Sequence, residues 1–187
     1  MLALRDATRA VHDEFESGLR LARPDAGQAE YLVFVSAMYG WLQPFEQSLW
    51  NSAWPNGMEA AARAQKSAWL ERDLRAAGMD DAAIARLPRS SASPPLASPA
   101  QRFGVAYVME GAQLGSQVLA RTLKPRLAPW PAYWLSGYGA DAPAYWLSFR
   151  KQAEHCLADQ SARACAAAAA AQAFHTLADW FRARGAA

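Results

Sequence analysis

Residues 102–122 most constrain the fold, because they form a helical stretch that carries three interior glycines. The segment reads RFGVAYVMEGAQLGSQVLART, and each interior glycine costs roughly 0.8–1 kcal/mol of helix stability relative to alanine. At about 100° per residue, Gly104, Gly111 and Gly115 fall within a sector of about 40°. The bare side of this helix therefore allows a close approach, either by another helix or by a flat ligand. The same face is extended by three further small or short side chains: Val108, Ala112 and Ser116.

Length and charge limit the classes of function. We expect one domain over residues 1–187, a length that buries about 70% of the unfolded surface. The formal net charge is +2, and the chain has no block of Lys or Arg, so nucleic acid is not an expected partner. No apolar run approaches the roughly 18 residues that a membrane span needs, and the N-terminus lacks a signal-peptide core. These features predict a cytoplasmic protein with no membrane partner.

The hydrophobic periodicity predicts an all-α fold, since no alternating segments with hairpin turns are present. Pro44 predicts a kink in the second helix, and Asp80 and Asp81 predict the start of a short helix. A Pro- and Ser-rich loop is expected at 88–99, and the glycine-bearing helix is expected to end before Pro125. The remaining predicted helices are 2–20, 28–50, 58–77, a short aromatic helix in 127–139, one through DAPAYWLSFRKQAEHCLAD, and a last one through ARACAAAAAAQAFHTLADWFRARG.

His12 is the residue best suited to hold a metal. The chain contains three histidines, which excludes a site built from several imidazoles. Thr8, His12 and Glu16 follow one another at four-residue spacing and share a helix face. Glu16 can accept a hydrogen bond from one ring nitrogen, which fixes the tautomer and leaves the other nitrogen free to bind a metal. The pair thus fits either the axial ligand of a haem iron or an ordinary surface pair of a helix.

Other catalytic motifs are absent. Cys156 and Cys165 are nine residues apart, without a CxxC or histidines at zinc-finger spacing, so neither a disulfide framework nor structural zinc is indicated. The chain has no GxSxG, no GxxxxGK[ST] and no GxGxxG, which gives no support to serine-triad chemistry or phosphate binding.

Four segments together resemble one known family, the haem oxygenases. LRDATRAVHDEFE, with Thr8, His12 and Glu16, is similar to the proximal-helix motif of that family. YVMEGAQLGSQVL resembles its distal helix, particularly in the bacterial branch that often accompanies bacteriophytochromes. GYG followed by Trp146 and Phe149, and the terminal AxxxFHTLADWF, fit the same branch, so that the resemblance spans residues 4–182 in order.

The resemblance implies a multihelical fold with haem between the first and the distal helix. It implies that His12 ligates the iron with Glu16 as its hydrogen-bond partner, and that Gly111, Gly115 and Ser116 form the catalytic distal face. Haem would be both cofactor and substrate, cleaved with O2 and electrons from a ferredoxin or flavin reductase into biliverdin, CO and Fe2+. A bacteriophytochrome is a possible acceptor of the product. Further residues expected at the haem are Thr8, Val108, Ala112, Phe174 and, at the propionates, Arg150, with Arg5 and Arg9 as additional cations.

Two positions depart from the family pattern. Ser116 stands where many members have a second glycine, and Ala112 stands where animal-type members have a carboxylate that organises distal water. A haem-binding, transfer or sensing protein of the same fold, without efficient turnover, is therefore the main alternative. A thiamin-salvage enzyme of similar fold is a third hypothesis, but Cys156 and Cys165 lack the carboxylate setting that its nucleophile would need. A purely structural helical protein ranks below these.

Overall fold

The computed structural model describes residues 1–187 and contains nine α-helices, two short 3-10 helices and no β-strand, which confirms the predicted all-α class. The 3-10 helices are Arg20–Ala22 and Gly139–Asp141. The α-helices are α1 (Leu2–Gly18), α2 (Gln28–Trp50), α3 (Ala60–Arg63), α4 (Lys66–Ala76), α5 (Asp81–Arg86), α6 (Pro99–Leu127), α7 (Tyr133–Ser136), α8 (Ala142–Cys156) and α9 (Gln160–Ala183).

The glycine-bearing helix α6 is longer than predicted at both ends. Ser98 Oγ accepts a hydrogen bond from the Gln101 amide at 3.2 Å, Gln101 Oε1 accepts one from the Ser98 amide at 3.0 Å, and Pro99 occupies the first helical turn. This capping box starts the helix three residues early. At the other end, the expectation that the helix stops before Pro125 is wrong, because burial of Leu127 outweighs the hydrogen bond that proline removes.

The helix predicted over 58–77 is divided into α3 and α4. Glu59 has a left-handed backbone with φ of 51°, and the helix is interrupted between Arg63 and Lys66. The interruption lets both cations turn inward to the buried carboxylate of Glu110. Glu46 caps the new helix start, since its carboxylate accepts hydrogen bonds from the amides of Lys66 and Ser67 at 2.9 Å.

The helix predicted over 127–139 is reduced to the four-residue α7, which lies between the end of α6 at Leu127 and the 3-10 helix that begins at Gly139. Its first amides have a buried partner, because Asp73 accepts hydrogen bonds from the Tyr133 amide at 2.7 Å and the Trp134 amide at 2.8 Å. Tyr31 donates a third hydrogen bond to the same carboxylate at 2.6 Å. Burial raises the pKa of Asp73, and these donors act against that rise.

Helix α2 continues without interruption through Pro44, because its neighbours Trp41, Leu42 and Phe45 are buried in the core. The predicted cap of α5 is confirmed by the Asp80 carboxylate, which accepts the Ala83 amide at 2.6 Å. No helix is long and apolar enough to cross a membrane.

A core of 41 buried residues joins the long helices, and α6 and α1 both pack against the alanine-rich α9. Gly104 permits the α6–α9 contact, since a Cβ there would overlap the carbonyl oxygen of Ala166 and lie 2.9 Å from Ala169 Cβ. For this glycine the bare side of α6 serves helix packing. Its two companions, Gly111 and Gly115, have open space beside them.

Candidate functional site

A cavity of about 720 Å³ separates α1 from the glycine-bearing part of α6. Helix α1 forms one wall and α6 the facing wall. Phe174 and Leu177 of α9 contribute to the lining, together with Phe34 and Met38 of α2 and Trp134 of α7. Fourteen of the 22 lining residues are hydrophobic, so the cavity suits a broad ligand that is mostly apolar.

His12 lies on the α1 wall with its imidazole 47% exposed. The ring packs edge-on against Phe174, with 5.6 Å between the ring centroids. His12 Nε2 is 3.5 Å from Glu16 Oε1, and Nδ1 is 3.8 Å from Asp13 Oδ1. The predicted partner Glu16 is thus adjacent, and Asp13 is a second carboxylate that the sequence reasoning missed although it follows His12 directly. Either carboxylate could accept a hydrogen bond from the ring nitrogen that it faces, which would orient the imidazole and leave the other nitrogen to bind a metal.

The α6 wall has no side chains at Gly111 and Gly115, although Tyr107, Val118 and Leu119 also line it. Gly111 and Gly115 line the cavity, and a Cβ built on either one would meet no atom within 4 Å. Ala112, Val108 and Ser116 complete this wall. The Ser116 hydroxyl donates to the Ala112 carbonyl at 2.9 Å, so its proton is held by its own helix and its lone pairs remain.

One end of the cavity carries hydroxyl groups that the prediction captured only in part. Thr8 donates its hydroxyl to the Leu4 carbonyl at 2.9 Å. Burial raises the pKa of the Tyr107 phenol, while a hydrogen bond with Thr8 acts in the opposite direction. Tyr107 also packs on Trp146, with 5.7 Å between ring centroids. The sequence signal for Tyr107 is its place on the same face of α6 as Gly111 and Val108, which predicts that its side chain also faces the cavity.

The cavity brings together every predicted site residue except the three arginines, Arg5, Arg9 and Arg150. No Lys or Arg is among the lining residues. Arg150 does not reach the cavity wall, because α8 directs its half-exposed guanidinium along its own helix to Glu154 at 3.7 Å. Its place at the propionates stays a prediction of the family resemblance. Arg5 and Arg9 stay on the exposed side of α1, each 3.4 Å from the carboxylate of Asp6.

A buried ionic cluster lies behind the α6 wall. Glu110 accepts a hydrogen bond from Lys66 Nζ at 2.7 Å and forms an ion pair with the Arg63 guanidinium. All three side chains are buried. The Tyr138 hydroxyl donates to Glu110 at 3.1 Å, and its ring stacks on Tyr145 with 4.1 Å between centroids. The cluster fixes the backbone of α6 immediately before Gly111.

The two cysteines and the other possible metal ligands form no second candidate site. Cys156 is exposed, and Cys165 has only the Ser98 hydroxyl as a polar neighbour, at 3.8 Å. Neither thiol lies beside paired carboxylates of the kind that a thiamin-salvage enzyme would need. No group of three His, Cys, Asp or Glu side chains is placed to hold a metal ion on its own.

Comparison with known proteins finds one family over nearly the whole chain. The family model described as heme oxygenase matches residues 1–183. A protein named heme oxygenase from Xanthomonas campestris pv. campestris (strain 8004) is 39% identical over 104 residues, which are 54% of this chain and 58% of that protein. The chain thus matches somewhat more than half the length of that relative.

Proposed function

We propose that this chain, which belongs to the haem oxygenase family, cleaves haem oxidatively to biliverdin, CO and Fe2+ with O2 and external electrons. The observation that carries the proposal is a cavity with an imidazole on one wall and a facing wall without side chains at Gly111 and Gly115. His12 is the one histidine that lines the cavity, so a haem iron held by it would keep a coordination position open for O2.

The residues present fit haem. The mainly apolar lining matches the porphyrin plane, and His12 supplies a nitrogen donor suited to iron. Glu16 or Asp13 would accept a hydrogen bond from one ring nitrogen and so orient the imidazole. When bound, haem supplies the iron that activates O2 and is itself the molecule that is oxidised.

The residues of the α6 wall would shape the oxygen-binding side. Gly111 and Gly115 leave room for a small molecule between the helix backbone and the ligand plane. Ala112 provides no carboxylate, so ordered water held by the α6 backbone and the lone pairs of Ser116 would deliver protons. The apolar side chains that line the cavity from α2, α7 and α9 would exclude bulk water and so limit side reactions.

The haem propionates would lie at a polar end of the cavity. The Thr8–Tyr107 end supplies hydroxyl groups, and Arg5 is close enough to Tyr107 to act on its ionisation. Arg5 and Arg9 are paired only with the exposed Asp6 at 3.4 Å, and a carboxylate ligand would compete well for them. We therefore propose that the propionate carboxylates lie at this end of the cavity.

Electrons would come from a ferredoxin or a flavin reductase, and a bacteriophytochrome is the proposed acceptor of biliverdin. Support for both partners comes from the resemblance of YVMEGAQLGSQVL to the distal helix of the bacterial branch that often accompanies these photoreceptors.

The test is reconstitution of the purified protein with one equivalent of hemin, followed by a ferredoxin and its reductase in air, with catalase present to remove free peroxide. We expect the haem Soret band to decay while a biliverdin band appears and CO is trapped by ferrous myoglobin. A stable hemin complex that never yields biliverdin would contradict the proposal and favour the alternative of a haem-binding, transfer or sensing protein, which the missing carboxylate at Ala112 would suit.

A further inference from the structure

Gln113 is a buried amide without a partner. Its side chain is 2% exposed, and neither Oε1 nor Nε2 makes a hydrogen bond. Burying a primary amide in this way is unfavourable compared with burying an apolar side chain of the same size. A polar residue at this place therefore needs a reason beyond packing.

The neighbours of Gln113 on the same face of α6 are all paired. Glu110 holds Lys66, Arg63 and Tyr138. Gln117 Nε2 donates to the Ser136 carbonyl at 3.3 Å, and Lys124 Nζ donates to Ser136 Oγ at 2.9 Å. One polar face of α6 therefore packs against residues 136–138, and it consists of Glu110, Gln113, Gln117 and Lys124.

Gly137 makes room for the Gln113 amide. A Cβ on Gly137 would overlap Gln113 Oε1 and lie 3.2 Å from Gln113 Cδ. Gly137 also has a φ of 47°, a backbone conformation that favours glycine. The amide therefore lies directly against the backbone of the turn at Gly137.

The position along α6 links this amide to the cavity. Gln113 falls in the middle of Gly111–Ser116, and at about 100° per residue it points about 160° away from Gly111 and from Gly115. A movement of the glycine wall toward or away from the cavity would therefore change the distance between Gln113 and the turn. Glu110 would stay in place during such a movement, because three buried partners hold its carboxylate.

We propose that Gln113 is a positioning residue of the haem site. When Gly111–Ser116 packs on the bound substrate, the Gln113 amide hydrogen-bonds to the backbone of the 136–138 turn and so fixes the distance between the α6 backbone and the haem. The inference rests on the proposed function, because it requires haem in the cavity. It adds a residue on the far side of the helix that acts on the reaction without touching the ligand.

The test compares Gln113→Met with the matched control Gln117→Met. Without hemin, Gln113→Met loses an unpaired amide and should melt about 2–4 °C higher than the wild type, whereas Gln117→Met loses an existing hydrogen bond and should melt lower. Hydrogen–deuterium exchange of 110–118 is then measured with and without hemin. The wild type and Gln117→Met should gain protection on hemin binding, and Gln113→Met should gain less than half as much.

The rate of biliverdin formation should fall several-fold in Gln113→Met despite its higher melting temperature, which a purely structural role would not produce. Equal hemin-dependent protection and equal turnover in Gln113→Met and the wild type would overturn the inference, as would a wild type that gains no protection with hemin. A wild type that gains protection but forms no biliverdin would overturn the proposed function alone, and the exchange difference would still assign Gln113 its positioning role.

Discussion

His12 is the side chain whose removal separates iron ligation from the other properties of the cavity. His12→Ala should fold normally, because the imidazole is half exposed and its nearest packing partner is the edge of Phe174. Hemin should still enter the apolar cavity, but with a displaced Soret band, weaker affinity and no biliverdin formation. Optical titration with hemin and the turnover assay measure these changes.

His175→Ala is the matched control, since His175 is exposed on α9 and does not line the cavity. We expect this variant to keep the hemin spectrum and turnover of the wild type. An unchanged Soret band and full activity in His12→Ala would remove His12 from the iron.

Helix α6 contains two kinds of glycine, and one substitution distinguishes them. Gly115→Leu should raise the free energy of unfolding by up to about 0.8 kcal/mol through helix propensity, because a Cβ there meets open space. Its side chain would enter the cavity and block hemin. Gly104→Leu should lose several kcal/mol through overlap with Ala166 and Ala169. Urea unfolding and hemin titration of both variants check the pair, and a Gly115→Leu protein that binds hemin as the wild type does would argue against the glycine wall.

The contrast between these glycines shows what the sequence could predict. Spacing placed Gly104, Gly111 and Gly115 on one face of a helix, and the structure confirms that face. Spacing could not tell that α9 crosses at Gly104 and leaves the other two free, because that depends on where a helix distant in sequence meets α6. The resemblance to a known family predicted that α1, with His12, faces α6. A family pattern contains such information about distant helices, whereas periodicity does not.

The errors also have physical causes. The division of 58–77 depends on Arg63 and Lys66 reaching Glu110, 47 and 44 residues further along the chain, a long-range pairing that local propensity does not contain. The position of Arg150 outside the cavity lining also depends on side-chain direction, since its guanidinium lies 3.7 Å from Glu154 one turn away. Tyr107 and Trp146 join the cavity from separate helices.

The buried ionic cluster should dominate the stability of the element that it anchors. Glu110→Ala would leave the cations of Arg63 and Lys66 buried without their carboxylate, at a cost of about 3–5 kcal/mol. Glu71→Ala, which breaks the half-exposed pair with Arg75, should cost less than about 1 kcal/mol. Urea denaturation of the two variants at neutral pH gives the comparison, and similar losses in both would mean that Glu110 contributes no more than a surface pair.

At the scale of the whole molecule, buried tyrosines predict how stability changes in alkali. Burial, followed by the charge and hydrogen bond of Asp73, raises the pKa of Tyr31 far above its usual value, and burial followed by the charge of Glu110 does the same for Tyr138. An unfolded tyrosine ionises near pH 10. The stabilisation that these groups provide is therefore complete below pH 10 and is lost as pH rises further, because the unfolded chain releases protons that the native chain retains.

Each such tyrosine should lower the free energy of unfolding by up to about 1.4 kcal/mol per pH unit above pH 10. Tyr31→Phe removes one of them, so its stability should fall less steeply than that of the wild type between pH 10 and pH 11. The variant also loses the 2.6 Å hydrogen bond to Asp73, which should lower its stability at pH 8, where the Asp73 carboxylate keeps the amides of Tyr133 and Trp134 as donors. Urea denaturation of both proteins from pH 8 to pH 11 measures the two effects separately, and parallel curves above pH 10 would show that Tyr31 ionises in the folded protein as readily as in the unfolded chain.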